Sequence, residues 1–337
     1  PSTDKAKQYK FNPSNNLGLP QKEVYAVFED REKSIWIATE NYFSKLIDVD
    51  KGIFQNFRYQ SSQPNNEQVK PVISQDGAGL FWLGTKNGLI RFDIKNKSFY
   101  AFKNDPKNSQ SLSNDFIKSI CVDPYESENI LWIGTAGGGL NRFDIDKNSF
   151  THFSDFSGLP NNVVYGILPD AKGNLWLSTN KGLSKFNPRD STFRNFDVVD
   201  GLQSNEFNTG AYYRSKSGEL FFGGIKGLNY FYPEKIKDNP HLPKIALTNL
   251  KVGDNYISVK NDKSILQKTF SETDTLVLSY ADDVVTFEFA ALDYSAPEKN
   301  QHAYKLENFN KDWIYSGSLR SATYTHLPPG EYVFRVK

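Results

Sequence analysis

The sequence predicts an all-β chain: a β-propeller with five four-stranded blades visible, then an immunoglobulin-like β-sandwich. Three observations carry this. A unit made of an Asp-x-x-Gly turn, a Trp-bearing strand, a Thr, a Gly turn and a second strand ending in an aromatic recurs five times, most fully at Asp170–Pro188. Its anchors, Trp36, Trp82, Trp132, Trp176 and Phe221, lie 46, 50, 44 and 45 residues apart. After Pro243 the unit stops but strand alternation continues, as in Val285, Phe287 and Phe289 against Thr286 and Glu288. A period in the forties with strand patterning inside each unit marks a propeller, because one small sheet cannot bury both faces and stacked sheets can.

Each unit divides into four strands. In the fourth unit Val163–Leu168 is the inner strand, Leu175–Ser178 carries the Trp, Leu183–Phe186 follows and Thr192–Phe196 lies outside. Asp170 and Gly173 make the first turn, where Asp bonds nearby backbone N–H groups and Gly takes positive φ. Asp76–Gly79–Trp82 shares this spacing, whereas the first unit has Lys33 for the Gly and the fifth has Ser215 and Phe221 at its ends. The third unit has a longer turn, Pro124–Asn129. Gly88, Gly138, Gly182 and Gly227 hold the second turn, and Tyr42 takes that place in the first unit.

Aromatic pairs mark the outer strands: Phe54/Phe57, Phe99/Phe102, Phe150/Phe153 and Phe193/Phe196. The fifth unit ends at Phe231–Pro233 without such a pair, and Tyr9–Phe11 stands alone as the tail of a similar strand. Two arrangements follow. Either Tyr9–Phe11 completes the last blade and closes the ring, or the ring is larger than the units present.

Residues 1–236 are assigned to the propeller, 237–243 to a linker between prolines and 244–337 to the sandwich. About seven sandwich strands are expected, at Lys244–Val252, Leu276–Tyr280, Val284–Tyr294, Ala303–Glu307, Trp313–Ser316, Ala322–Leu327 and Glu331–Lys337, the last stopping while still in pattern.

Composition narrows the function. The chain has 337 residues and a net charge of +1 with both signs mixed, which argues against a dedicated nucleic-acid surface. Its one cysteine, Cys121, sits on a central strand and is expected to be a small buried apolar residue. There is no methionine and the sequence opens at Pro1, so it is taken as a segment of something longer. No run is long and apolar enough to span a membrane, so any membrane attachment is expected through flanking segments.

The units resemble the two-component regulator propeller repeat, as in LPNNVVYGILPDAKGNLWLSTNKGLSKFNP and in LWIGTAGGGLNRFD at Leu131–Asp144. Asp200–Pro233 is similar to the terminal repeat of such proteins. The segments ALDYSAPEKNQHAYKLENFNKDWIYS and YTHLPPGEYVFRVK resemble the triple-tyrosine (YYY) sandwich that follows those propellers. The resemblance implies the extracytoplasmic, periplasmic sensor region of a membrane histidine kinase of a two-component system, often a hybrid one. It also implies an oligosaccharide ligand, control of polysaccharide-utilisation genes, and a kinase outside this segment. Members often carry two seven-bladed propellers, so the five units here are expected to be the C-terminal part of a larger array.

Candidate ligand residues are sought where the pattern breaks. The first unit reads ATENYFSKL, placing Glu40 and Asn41 beside Tyr42, a combination suited to sugar stacking plus hydrogen bonding. Asn205, Glu206 and Asn208 form the other polar cluster, in the last interblade loop. Divergence of a turn and loop capping are the plain alternatives for the two sets. The Trp anchors recur in every blade and are assigned to packing, since a ligand site uses one or two positions.

His152, His241, His302 and His326 lack metal-ligand spacing, and Gly137–Gly139 lacks the Lys-Ser/Thr of a phosphate loop. No catalytic residue, cofactor or metal is therefore assigned. Three readings compete: an oligosaccharide-sensing module that works as a homodimer, a structural or dimerisation segment with the ligand site in other blades, and a propeller lyase or glycosidase. The last needs a convergent acid/base set that sequence alone does not show.

Overall fold

In the computed structural model the described residues are 7–12, 14–59, 71–123, 125, 129–236, 243–259, 265–266, 268–279, 281–292, 297 and 300–337. The chain divides into two compact units, Pro1–Ile236 and Lys237–Lys337. The stretch 237–242 of the expected linker lies outside the described residues, as does most of the turn expected at Pro124–Asn129.

The first unit is a run of antiparallel sheets, each a meander in chain order. Blade 1 comprises β1 (Ala26–Glu29), β2 (Ile35–Ala38), β3 (Tyr42–Asp48) and β4 (Ile53–Arg58). Blade 2 comprises β5 (Val72–Gln75), β6 (Phe81–Thr85), β7 (Gly88–Asp93) and β8 (Ser98–Phe102). Blade 3 comprises β9 (Ile117–Val122), β10 (Ile130–Thr135), β11 (Leu140–Asp144) and β12 (Ser149–Phe153). Blade 4 comprises β13 (Val164–Pro169), β14 (Leu175–Thr179), β15 (Gly182–Asn187) and β16 (Thr192–Phe196). Blade 5 has three strands, β17 (Phe207–Arg214), β18 (Leu220–Gly224) and β19 (Gly227–Phe231). Among the described residues blade 5 has no fourth strand, as the missing aromatic pair foreshadowed.

The inner strands pack on one another in order, β1 on β5, β5 on β9, β9 on β13 and β13 on β17. Packing of that extent does not join β17 back to β1 among the described residues. The Trp of each blade is the wedge between it and the next. Trp36, Trp82, Trp132 and Trp176 are at most 1% exposed. Each meets the third-strand Phe of the following blade: Trp36–Phe92 at 6.1 Å, Trp82–Phe143 at 5.6 Å, Trp132–Phe186 at 5.5 Å and Trp176–Phe231 at 4.7 Å between ring centroids. Repetition of one contact is what gives the array a constant pitch.

The Asp of each first turn has a second task beyond turning the chain. Asp30, Asp76, Asp123 and Asp170 are buried. One carboxylate oxygen accepts from the turn's backbone, as in Ser34 N–H to Asp30 at 2.8 Å and Asn174 N–H to Asp170 at 3.0 Å. The other accepts the indole N–H of the same blade's Trp, at 2.7, 2.8, 2.8 and 3.1 Å in blades 1 to 4. Asp123 does this although it stands nine positions before its Trp. Burial alone would raise the Asp30 carboxyl, but the Trp36 indole and the Ser34 and Glu32 amides outweigh it and hold the pKa below the usual value. Blade 5 changes both partners together. The Ser215 hydroxyl caps the backbone N–H of Glu219 at 2.9 Å and bonds the Ser217 hydroxyl at 2.8 Å, and Phe221 has no N–H to offer.

Two expectations are corrected. Tyr9–Phe11 does not complete blade 5. Tyr9 packs edge-on against Phe54 at 5.7 Å and donates its hydroxyl to the Val49 carbonyl at 2.9 Å, while Phe11 bridges to Leu19. The face of blade 1 that points away from blade 2 presents Ile37, Leu46 and Phe54, an apolar surface one short loop away, and Tyr9 and Leu19 cover it. In blade 3 the second-turn glycine is Gly139, not Gly138. Gly139 has φ +74° and a Cβ there would meet the Phe153 carbonyl oxygen at 2.2 Å, matching Gly182 with φ +91° and the Phe196 oxygen at 2.0 Å. The inserted residue shifts the requirement by one position.

The second unit is a sandwich of two antiparallel sheets. One has the order β21 (Asn255–Tyr256), β20 (Ile245–Val252), β22 (Val284–Ala291), β25 (Ser321–Thr325); the other β24 (Ile314–Gly317), β23 (His302–Glu307), β26 (Val333–Val336). Leu250, Val285, Phe287, Phe289 and Tyr324 of the first sheet pack on Tyr304, Leu306, Phe334 and Val336 of the second. The strand expected at Leu276–Tyr280 does not form over the described residues. Leu276 and Leu278 instead lie against this core from an irregular segment, because apolar alternation reports burial and not pairing. Asp293–Ala296, including Tyr294, lies outside the described residues.

Exchanging Asp170 for Ser and Trp176 for Phe, singly and together, should be strongly non-additive. Urea melts are expected to give a coupling of about 1–3 kcal/mol, since each single change leaves a buried partner without its hydrogen bond. Gly182→Ala should cost about 1–3 kcal/mol or more by the same measurement, because its left-handed backbone and the Phe196 carbonyl both reject a Cβ.

Candidate sugar-binding rim

The inner strands begin at the end of the propeller where the interblade loops and second turns lie. Counting five residues back from each turn Asp gives Tyr25, Lys118 and Tyr165 in blades 1, 3 and 4. Equal register puts all three at the same level of their inner strands, each beside its own blade's second turn. Blade 2 has buried Pro71 at this position, and blade 5 has Gly210, counted from Ser215.

In blade 1 the Tyr25 hydroxyl donates to the Glu23 carboxylate at 2.7 Å. Its pKa is pushed up to about 12, first by that hydrogen bond, then by burial and by the negative charges of Glu23 and Glu40. Gln21, Lys22, Glu23, Tyr25 and Glu40 line an open cleft of about 260 Å³. The cleft wall is fixed by Gln21, whose side-chain oxygen accepts from the Thr39 hydroxyl at 2.6 Å and from the Asn41 backbone N–H at 2.9 Å.

Asn41 and Tyr42 themselves form the turn. Tyr42 O accepts from the Thr39 N–H at 2.9 Å, and Asn41 O from the Tyr59 N–H at 3.0 Å. Strand β3 therefore pairs with the outer strand one step further than in other blades, with Tyr42 opposite Arg58. Extended backbone at that point removes the need for glycine. The buried Tyr59 closes the arrangement by donating its hydroxyl to the Thr39 carbonyl at 2.6 Å, and burial drives its pKa upward.

Blades 3 to 5 make a second station. Lys118 Nζ lies 3.9 Å from the ring centroid of Phe116 and 6.0 Å from that of Tyr165 in the next blade. The Tyr165 hydroxyl donates to Asn180 Oδ1 at 2.7 Å. Asn180 follows Thr179 as Glu40 follows Thr39, so both inner-strand tyrosines face the same turn position. Burial, then the Glu206 carboxylate, raise the Tyr165 pKa.

The sequence-selected residues thus separate into kinds. Glu40 and Glu206 each act on an inner-strand Tyr. Asn205 ties the loop: its side-chain oxygen accepts from the Val198 N–H at 3.0 Å, and its carbonyl from the Gly182 N–H at 2.6 Å. Asn208 is exposed on β17, where the pairing with β18 shifts register. Tyr25, Phe116, Lys118, Tyr165 and Asn180 were not selected from sequence. Superposing the units on their turn Asp and reading five residues upstream would have found three of them.

Of the anchors, Phe221 holds the Trp position but is only half-buried, stacked on Tyr230 at 6.0 Å. Cys121 lies in β9 with its thiol pushed up to about 12, chiefly by burial, as expected for a packing residue. Among the described residues no group of three or more His, Cys, Asp or Glu is placed to hold a metal, and no helix is long and apolar enough to cross a membrane.

Replacing Glu23 with Gln should bring the Tyr25 pKa down toward 10, its ordinary value. The phenolate absorbance lost on adding Tyr25→Phe, titrated in both backgrounds, measures it.

Residues 18–41 and 158–181 match the two component regulator propeller family, and residues 293–337 match the Y_Y_Y domain. A curated relative, "Histidine kinase P4" of Formosa agariphila, is 24% identical over 98% of this chain, which spans 28% of that protein. Two structures of the extracellular domain of BT4673 from B. thetaiotaomicron, described in one as a hybrid two component system and in the other as a one component system, superpose with TM-scores of 0.53 and 0.50. They are 19% and 18% identical, over 93% of this chain and 53% and 54% of theirs. The chain therefore carries two component regulator propeller repeats followed by a Y_Y_Y domain.

Proposed function

We propose that the chain is the extracytoplasmic, periplasmic sensor region of a hybrid two-component histidine kinase, and that an oligosaccharide binds the loop-end rim of its propeller. The observation that carries the site is the repeated tying of an inner-strand tyrosine hydroxyl to a polar side chain at the same rim, Tyr25 to the Glu23 carboxylate at 2.7 Å and Tyr165 to Asn180 Oδ1 at 2.7 Å. Phenol hydroxyls, carboxylates and amides offer the directional donors and acceptors that sugar hydroxyls need, and ring faces suit the apolar faces of a pyranose. The likeness to a histidine kinase and to an extracellular domain described as part of a hybrid two component system supports the sensor reading.

Signalling requires the ligand to favour one arrangement of the region over another. In this reading two copies of the chain form the responding unit, and the sandwich passes the change onward to the kinase, which lies outside this segment. The genes under its control are those for polysaccharide use.

Calorimetric titration with a panel of oligosaccharides is expected to give a saturable heat with one class. Tyr25→Ala or Tyr165→Ala should weaken that binding about tenfold or more, the loss of a hydrogen bond to a charged or aromatic site. A panel without any heat, on protein whose melting is normal, would exclude the oligosaccharide reading.

A further inference from the structure

In blades 1 to 4 two positions meet at the loop-end rim, and their charges are unevenly spread. One is the inner-strand residue five before the turn Asp; the other follows the Thr that closes the second strand. In blade 4 these are Tyr165 and Asn180, bonded at 2.7 Å. They are Tyr25 and Glu40 in blade 1, Pro71 and Lys86 in blade 2, and Lys118 and Ala136 in blade 3. The second turns of blades 2 and 4 make the same bonds. The Thr85 and Thr179 hydroxyls each donate to the carbonyl of the turn glycine at 2.9 Å, and accept the N–H two residues on at 3.0 and 2.9 Å. Lys86 therefore stands where, two blades on, Asn180 meets Tyr165.

Two cations thus fall on adjacent blades, and both are half-buried. Lys118 Nζ lies 3.9 Å from the Phe116 ring centroid and 6.0 Å from that of Tyr165, so rim residues of neighbouring blades come within reach of one another. A ring face holds a cation without cancelling its charge, and partial burial strengthens what that charge attracts. Ala136 puts no long side chain before Lys118, and Pro71 brings no charge beside Lys86. Asp115, in the loop between these two blades, accepts the Asn104 N–H at 2.6 Å. Carboxylates flank the pair on both sides. Glu23 and Glu40 outnumber Lys22 at blade 1, and the Glu206 charge bears on Tyr165 from the loop entering blade 5.

We infer that the oligosaccharide is an acidic one, its carboxylate or sulfate group held by Lys86 and Lys118 at the rim of blades 2 and 3. This rests on the sugar-binding reading above and narrows it to a class of ligand. An ammonium bonded to an anionic oxygen is roughly twice as strong as a neutral hydrogen bond. Glu23, Glu40 and Glu206 repel an anion from the neighbouring blades, so the rim also fixes where along the ligand the acidic group lies. The uncharged hydroxyls are left to Tyr25, Tyr165 and Asn180, which donate and accept without regard to charge.

Calorimetric titration of the intact chain with matched oligosaccharides tests this: uronic acid forms against their methyl esters, and sulfated forms against their desulfated parents. An acidic member should bind about tenfold or more tighter than its neutral partner, and the pair that shows the preference tells carboxylate from sulfate. The preference should shrink as salt is raised. Lys86→Gln and Lys118→Gln should each lower the acidic-to-neutral affinity ratio about threefold or more, and together bring it near one. Arginine at both positions should keep the ratio above one. A variant that merely loosens the rim weakens both members of a pair alike and leaves the ratio where it was. The inference is overturned, and the sugar-binding reading kept, if neutral members bind as tightly as their acidic partners, or if the double Gln variant retains the ratio. No heat from any member overturns both.

Discussion

One hydrogen bond recurs at the base of the propeller: a buried aspartate carboxylate accepting an indole N–H. It joins the two least compatible demands of each blade. The ring of Trp has to be fully removed from water to wedge neighbouring blades apart, and its N–H then needs an acceptor within the sheet. The tight turn between the first two strands leaves backbone N–H groups unpaired, and these need an acceptor as well. A carboxylate placed at the turn meets both demands, one oxygen for each, as at Asp30, Asp76, Asp123 and Asp170. Each of these carboxylates is itself buried, and at Asp30 the same donors hold the pKa below its usual value. Turn, strand and blade–blade contact are thereby fixed by a single side chain.

This is why so much of the architecture was legible in the sequence. The Trp and its Asp are rare, chemically specific residues, and their joint recurrence marks each blade even when Lys33 replaces the glycine between them. Lys33 takes the left-handed conformation itself, at φ +67°. Outer strands were legible because two aromatics three residues apart sit over the same two neighbours in blades 1 to 4. What failed was position within short segments. An inserted residue moved the glycine requirement from Gly138 to Gly139, and Tyr9 was drawn to the nearest open apolar face. Neither outcome is written in local pattern, since both depend on which backbone carbonyl or side chain comes close in space. In the sandwich, Leu276 and Leu278 carry a strand-like alternation but serve the core from outside the sheets.

The candidate site was legible only by halves. Glu40 and Glu206 stood out as polar residues in loops, and their negative charges contribute to the raised pKa values of Tyr25 and Tyr165. The tyrosines did not stand out, because Tyr in a strand is ordinary and only the comparison of equal register positions across blades separates Tyr25 and Tyr165 from the other aromatics. Asn205 fits the loop-capping alternative weighed beside a ligand contact: its side-chain oxygen accepts from the Val198 N–H and holds the loop. Polar loop residues near a rim divide between those that shape the loop and those that face the solvent, and sequence does not distinguish them.

The joint change to Ser215 and Phe221 in the last blade bears on how repeats of this kind can drift apart. In a blade whose Trp is as fully buried as Trp36 or Trp176, losing the indole first leaves a carboxylate that still receives its backbone donors, whereas losing the carboxylate first strands an indole N–H inside a dry interface. The two routes between the same endpoints therefore differ in their intermediate, and the passable one runs through phenylalanine before serine. Divergence among duplicated blades is directional at this pair, and a blade that has crossed over can return only by regaining its acid before its indole.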